Sequence, residues 1–363
     1  MKHDCDVLVV GAGPVGLLLG SCLQRLGLSV VILEQRSEPL GRTRAIGVLP
    51  PAIELCQRLG LAQELIGAGV RIRRGAVYAG ARRLGELDFE RGPTAFGFVL
   101  SLPQRTTERI LCAALPAAAL QRGCEVVDLR EEHDGLLVRT QGEQGERSWR
   151  ARWLAGCDGA RSSIRSALGS SFEGGDYPDA FAMGEFADRT GWGDEARIFF
   201  DARGFVESFP LPGGVRRWVL HAPGPGSFAE QIEERTGAHP GEALEAPAPF
   251  VAQHALASVF ARGRIALAGD AAHLMSPIGG QGMNVGWADA WDLAHSFAAA
   301  RDLSGYAVRA RRRASIAIRR ASQNLAIGRG LGAPRLRTAL VSAALRLRPA
   351  QPWLVRRFTL AGV

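Results

Sequence analysis

Residues 6–34 run Asp6-Val7-Leu8-Val9-Val10, then Gly11-Ala12-Gly13-Pro14-Val15-Gly16, then an apolar stretch to about Leu26, and then Ser29-Val30-Val31-Ile32-Leu33-Glu34. Asp6 to Val10 predicts a fully buried strand, and the residues after the glycines predict an apolar helix. Each glycine has a separate task in that setting. Gly11 permits the tight turn, Gly13 lets a pyrophosphate approach the backbone, and Gly16 lets the helix pack on the sheet, while the helix amino terminus offers unpaired N–H groups. Ser29 to Leu33 predicts a second buried strand. It ends in Glu34, about twenty residues on, where a carboxylate holds ribose hydroxyls. Pro14 and Val15 in the turn, and Gln35 and Arg36 beyond Glu34, are expected beside the same dinucleotide. This unit leaves open whether that dinucleotide is FAD or NAD; the bland alternative is a glycine turn beside a surface Glu.

With 363 residues and 47% hydrophobic composition, the chain has material for one large core or two smaller ones, and two domains are expected. The net charge of +8 is unevenly spread. From Arg301 onward there are 14 Arg against one acid, Asp302, a balance of +13 that leaves −5 for residues 1–300. Lys2 is the only lysine. Charge confined to the tail, with no repeat or base-stacking motif, argues against a nucleic-acid partner. Met1 to Asp6 is short and polar, and glycines interrupt the apolar run after Val10, so neither a signal peptide nor a membrane span is expected, and the location is expected to be cytoplasmic. Cys5, Cys22, Cys56, Cys112, Cys124 and Cys157 stand singly, which predicts buried thiols with no metal site and no disulfide framework.

Two later segments bear on the dinucleotide. The first is Leu154-Ala155-Gly156-Cys157-Asp158-Gly159-Ala160-Arg161-Ser162-Ser163-Ile164-Arg165, after a strand-like stretch from Ser148. The second is Gly263-Arg264-Ile265-Ala266-Leu267-Ala268-Gly269-Asp270-Ala271-Ala272-His273, continuing through Pro277-Ile278-Gly279-Gly280-Gln281-Gly282-Met283-Asn284. Together with the amino-terminal glycines they resemble, in order, the three motifs of the group A flavoprotein monooxygenases, the para-hydroxybenzoate hydroxylase family. The resemblance covers most of the chain to about residue 300 and implies FAD.

The residues of the second segment have a physical logic of their own. Ile265 to Ala268 predicts a short buried strand, and Asp270 at its carboxyl end falls in the crevice where such sheets bind ligands. Its carboxylate suits ribityl hydroxyls, and a helix-cap role is the plainer alternative. Pro277 and the glycines through Gly282 predict a tight loop opening into a helix through Trp287 and Leu293, whose amino terminus suits the negative charge of a reduced flavin. Gly269, Asp270, Pro277, Gly280, Gly282, Met283 and Asn284 are therefore expected at the flavin.

The resemblance adds further positions. Arg44, within Gly41 to Gly47, matches an arginine that contacts the FAD pyrophosphate and helps receive NAD(P)H. Gln104 matches a residue along the ribityl chain. Asp158, with Gly159, matches an aspartate implicated in both FAD and nicotinamide binding, supported by Arg161 and Arg165; solvated helix-end charges are the competing reading of Arg42, Arg161 and Arg165. NADPH or NADH would be the reductant, bound transiently, since no second Rossmann glycine unit is present.

Between the late motifs the pattern turns antiparallel: Ala196 to Phe200, Gly204 to Leu211 and Val215 to His221 predict strands, with Val70 to Leu87 as an earlier pair in the same sheet. The expected fold class is α/β, a Rossmann-like FAD-binding domain with an inserted antiparallel-sheet substrate domain and a helical carboxyl-terminal segment. The boundaries are 1–69, 99–184 and 250–300 for the first, 70–98 and 185–249 for the second, and 301–363 for the helices, including Tyr306 to Leu325 and Leu336 to Leu347. Phe199, Phe205, Phe209, Trp218 and Phe96 are candidates to line a substrate cavity, with plain core packing as the alternative.

The resemblance implies an oxidoreductase that hydroxylates an aromatic or polyketide-like substrate of secondary metabolism, using oxygen through a flavin C4a hydroperoxide. Epoxidation is a variant of that chemistry. No catalytic acid or base stands out; Tyr78, Tyr177, His221 and His254 are the groups to examine for ionising a phenol. A geranylgeranyl-reductase-like activity and a non-catalytic flavin-binding protein are the alternatives. A halogenase is disfavoured by the lack of a suitable lysine and of a W-x-W-x-I-P motif. The Arg-rich tail suggests either weak association with an anionic membrane or acidic carrier protein, or helices closing over the FAD domain.

Overall fold

A computed structural model describes residues 3–39, 45–143, 145–300, 302–329 and 334–363. The glycine-bounded apolar run forms the strand Cys5–Val10, followed by the helix Pro14–Arg25 and the strand Val30–Glu34. These strands sit at the centre of a sheet ordered Ala261–Arg262, Ile265–Leu267, Gly145–Gly156, Cys5–Val10, Val30–Glu34, Leu120–Arg122. From Ile265–Leu267 to Leu120–Arg122 the strands run parallel. The long strand Gly145–Gly156 also pairs antiparallel with Leu136–Gly142, which pairs in turn with Glu125–Glu131. Its central strands are buried on both faces, as a parallel sheet covered by helices requires.

A second eight-stranded sheet is ordered His273–Leu274, Ala248–Ala257, Phe172–Ala187, Val215–His221, Gly204–Leu211, Ala196–Asp201, Arg74–Ala79, Arg82–Asp88. All its pairings are antiparallel except Ala196–Asp201 against Arg74–Ala79. Two findings differ from the sequence expectation. Val70–Ile72 joins a separate three-stranded sheet with Gly47–Val48 and Val99–Ser101 instead of the large sheet. The strands Phe172–Ala187 and Ala248–Ala257 run across the expected boundaries at 184 and 250. Both strands pair within the second sheet, and the Gly174 to Pro178 stretch is absorbed as an irregularity between Asp176 and Ala180 instead of ending the strand.

The carboxyl-terminal segment is helical: Ser304–Arg329, Pro334–Arg346 and Gln351–Phe358. Several of its arginines bond back to the body. Arg311 donates to the Ala257 carbonyl at 2.5 Å, Arg313 to Asp289 at 3.1 Å, Arg337 to the Asp201 carbonyl at 3.2 Å and Arg346 to the Leu84 carbonyl at 3.0 Å. Among the described residues, no helix is long and apolar enough to cross a membrane, and no group of His, Cys, Asp or Glu is placed to hold a metal.

Candidate FAD and substrate site

Four neighbouring parallel strands end at the four sequence features singled out above: Val10 before Gly11, Glu34, Gly156 before Asp158, and Leu267 before Asp270. The carboxyl ends of such strands form the ligand crevice of an open α/β sheet. Gly11 has φ +104°, and a Cβ there would lie 2.4 Å from the Cys157 carbonyl oxygen, so its turn closes directly onto the Asp158 motif. Gly13 is the opposite case. A Cβ on it would meet nothing within 4 Å, and it caps the helix Pro14–Arg25 without a side-chain hydrogen bond. Open space over uncapped helix N–H groups fits a pyrophosphate.

Glu34 is buried. It accepts from the Ala12 N–H at 2.8 Å and the Arg36 N–H at 3.0 Å, which fixes the glycine turn against the end of the second strand. Gln35 and Arg36 beside it are exposed. Pro14 and Val15 dock the same turn on the later motif: the Trp287 indole donates to the Pro14 carbonyl at 3.0 Å, and Val15 packs on Gly269 and Gly286. Gly16 backs onto the Gly11 carbonyl.

Asp158 accepts from the Ser162 hydroxyl at 2.5 Å, the Ser163 hydroxyl at 3.2 Å and the Ile164 N–H at 3.2 Å. Gly159 turns the chain at φ +80°, and Arg161 is exposed. Arg165 does more than sequence reading asked of it. It donates to the Ala271 carbonyl at 3.2 Å and the Ala160 carbonyl at 2.9 Å while lying 3.6 Å over the Phe172 ring. Burial depresses its pKa, against the raising influence of Asp158.

Asp270 occupies the turn Gly269–Ala271 and is exposed at the crevice. Beneath it, His273 and Asp289 are fully buried 2.5 Å apart, and Arg313 closes on the other Asp289 oxygen at 3.1 Å. Asp289 was not among the sequence candidates and Arg313 stood only among the tail arginines; an acid midway along a largely apolar helix was the available signal.

Pro277 is exposed and Ile278 buried, and Gly279 and Gly280 have φ +86° and +62°. The helix Gly282–Ala298 begins with no side-chain cap and no acid in its first turn. Its second and third residues, Met283 and Asn284, are buried. Asn284 accepts from the Leu49 N–H at 2.8 Å and donates to the Gly47 carbonyl at 2.9 Å and the Gly280 carbonyl at 2.7 Å. Gly47 and Gly280 consequently approach so closely that a Cβ on Gly47 would lie 4.0 Å from the Gly280 Cα. An uncapped helix start beside two bare glycine edges fits the pyrimidine end of a flavin. Gln104 lies at the same side, accepting from the Ala45 N–H at 3.3 Å and donating to Glu108 at 2.8 Å. Arg42 and Arg44 lie outside the described residues.

The faces of the second sheet sort the aromatic candidates. Phe199 and Trp218 cluster with Phe186, Val206 and Ile232 of the helix Phe228–Thr236, on the face turned from the first sheet. Phe199 also lines a surface hollow of about 450 Å³ with Tyr78, Trp192 and Arg197. Phe205 and Phe209 point the other way. Phe205 clusters with Phe181, Val219 and Ile278, and Phe209 packs on Leu49, Ile72 and Val99. Strand alternation separates the two sets onto opposite faces, and only the helix over one face shows which is which. Phe96 stacks edge-on against Phe98 in the first domain's core. Tyr78 stacks on Phe199, Tyr177 shares a hydrogen bond with Ser322 at 2.6 Å, and His221 pairs with Asp179 at 2.8 Å. His254 lies against the Tyr177 ring.

These features define an α/β protein with a dinucleotide crevice facing an inserted antiparallel sheet. Residues 4–223 and 225–322 match the family model described as FAD binding domain, and the chain belongs to that family. It is 34% identical over 314 residues to rifampicin monooxygenase of Streptomyces venezuelae, covering 82% of this chain and 64% of the relative. Among solved structures it resembles anhydrotetracycline hydroxylase from Streptomyces rimosus, with TM-score 0.81 and 28% identity, covering 99% of this chain and 76% of that one. The p-nitrophenol 4-monooxygenase of Pseudomonas putida shares the fold, with TM-score 0.89 and 24% identity over 99% of both chains. The chain spans less than two thirds of the length of the first of these relatives.

Proposed function

We propose that this protein is an FAD-dependent monooxygenase that uses NADPH or NADH and oxygen to hydroxylate an aromatic or polyketide-like substrate. The observation that carries the reading is the meeting of the Gly47 and Gly280 loops, clipped by Asn284, opposite the Phe205–Phe209 face of the second sheet. Bound there, FAD would supply oxygen activation. Gly13 and the uncapped helix Pro14–Arg25 would hold its pyrophosphate, Glu34 its ribose, Asp270 and Gln104 its ribityl chain, and the start of helix Gly282–Ala298 its pyrimidine edge. The protein's remaining contribution is to orient the substrate and exclude water. The names of the relatives, monooxygenases and hydroxylases, support the same class.

Reductant is proposed to dock transiently at the crevice, with Arg44, Asp158 and Arg161 as its contacts. The carboxyl-terminal arginines are read as closing elements, with no membrane or carrier partner, because so many bond to the body's carbonyls and acids. Anionic liposomes should therefore fail to pellet the protein at physiological salt. Pelleting that is lost when Arg311, Arg312 and Arg313 become Gln would overturn this. The cytoplasm is the proposed location, where NAD(P)H is available.

The test of function is direct. FAD-loaded protein with NADPH or NADH and a panel of phenols and polyketide aromatics should consume oxygen and yield a product one oxygen atom heavier. Product formed equally under nitrogen would reject the monooxygenase in favour of a reductase.

A further inference from the structure

Glu207 lies in the middle of the strand Gly204–Leu211, 4% exposed, and among the described residues no hydrogen bond or ion pair reaches its carboxyl. Burying such a group without a partner is costly, so its retention needs a cause. Register places it opposite Ile198 on one side and Val219 on the other, and Phe205 and Phe209 share its face by alternation. Those two phenylalanines belong to different clusters. Phe205 joins the one containing Ile278, two residues before Gly280, and Phe209 packs on the one containing Leu49, two residues after Gly47. Glu207 is therefore directed between the clusters, toward the place where the Gly47 and Gly280 loops meet.

The neighbouring charged groups described on this face are already matched. Arg217 donates to Glu185 at 3.0 Å, His221 pairs with Asp179 at 2.8 Å, and Arg329 reaches the same Asp179 at 2.8 Å. Glu207 is left over. Burial pushes its pKa up to about 8, so at neutral pH it is an acid that donates a hydrogen bond as well as accepting one.

We propose that Glu207 is a specificity-determining residue that hydrogen-bonds a hydroxyl or keto oxygen on an otherwise apolar aromatic substrate. This rests on reading the space between the sheet and the glycine loops as the substrate chamber. A site built around one hydrogen bond to a substrate oxygen rejects the analogue lacking it, because the protein group is then left unpaired.

The test uses FAD-loaded protein with 2-naphthol and naphthalene, binding being read from perturbation of the flavin absorption spectrum. Wild type should favour 2-naphthol roughly tenfold or more, about the worth of one buried hydrogen bond. Glu207→Leu should bind both alike and Glu207→Gln should keep most of the preference, with FAD affinity unchanged in both. As a second readout, the infrared C=O stretch of a protonated carboxylic acid, identified by difference against Glu207→Gln, should shift on adding 2-naphthol and stay put with naphthalene. No preference in wild type, the same preference in Glu207→Leu, or an unshifted band would each overturn the assignment. Failure to hydroxylate any phenol while the preference holds would reject the proposed function alone; hydroxylation with an unaltered ratio in Glu207→Leu would reject only this inference.

Discussion

The Arg165 guanidinium donates to the Ala271 carbonyl at 3.2 Å, joining the turn after Asp158 to the turn that carries Asp270. Two motifs separated by more than a hundred residues are held in register by one side chain, which also bonds the Ala160 carbonyl at 2.9 Å. Arg165→Met removes both bonds and leaves carbonyls at the crevice to find water. We expect a loss of about 2 kcal/mol in stability and roughly tenfold weaker FAD binding, read by thermal melts and by flavin fluorescence titration. Arg165→Lys should recover little, since a point charge does not reproduce the planar fork.

Asn284 ties three backbone groups of two loops through a single amide. Asn284→Leu leaves the Leu49 N–H and the Gly47 and Gly280 carbonyls without that partner. A destabilisation of about 3 kcal/mol is expected, together with weakened FAD binding. Chemical denaturation with and without added FAD separates the two effects: if the flavin site depends on this clip, the stabilisation conferred by FAD falls in the variant.

Glu207 also carries a signature in stability. Its folded pKa stands near 8 against 4.5 for an unperturbed glutamate, through burial. Stability from this group is therefore full below pH 4.5 and is lost progressively as pH rises to about 8. Glu207→Gln, which has no proton to lose, should melt at a more constant temperature between pH 5 and pH 9 than wild type, as differential scanning fluorimetry across that range would show.

Asp179 behaves in the opposite sense. Burial acts to raise its pKa, but hydrogen bonds from Arg329 and His221 outweigh that and hold it below the usual carboxylate range. Its contribution is present above pH 3.8 and is lost as pH falls further, through the lowered folded value. Because Asp179 links the second sheet to the helix Ser304–Arg329, Asp179→Asn should cost about 2 kcal/mol at pH 7 and progressively less below pH 3.8, measured by urea unfolding.

The thiols should divide by burial. Cys5 and Cys22 are pushed up to about 12, and Cys56 and Cys157 also lie well above the ordinary thiol value, all through desolvation. Cys112 and Cys124 are half-buried. Native protein treated with a thiol-specific disulfide reagent at pH 8 should label at Cys112 and Cys124 within minutes and at the other four only on unfolding, as peptide mass mapping would record.

Much of the crevice was legible because its chemistry is local. A glycine that must turn beside a helix start, and a carboxylate at a strand end, depend on neighbours a few residues away, so Gly11, Gly13, Glu34 and Asp270 declare themselves in order. Three strands of the second sheet, Ala196–Asp201, Gly204–Leu211 and Val215–His221, were legible for the same reason, with Asp201-Ala202-Arg203 and Pro212-Gly213-Gly214 as turns between them, whereas Phe172–Ala187 and Ala248–Ala257 were not.

Which face of that sheet meets the Gly47 and Gly280 loops was decided only by the fold. Trp218 and Val219 are equally apolar in sequence, yet Trp218 packs under the helix Phe228–Thr236 while Val219 joins the cluster of Ile278. A two-residue period defines two faces without saying which is covered, since that depends on a helix and a loop from distant parts of the chain. The same holds for Arg165 reaching Ala271 and for Asn284 clipping Gly47, contacts that span more than a hundred residues. The sequence by itself determined that the crevice glycines and carboxylates stand at the ends of buried strands. Tertiary structure alone decided which side chains look into the space between the layers, because burial and partnership are properties of what folds over a residue and not of the residue's own neighbours in sequence.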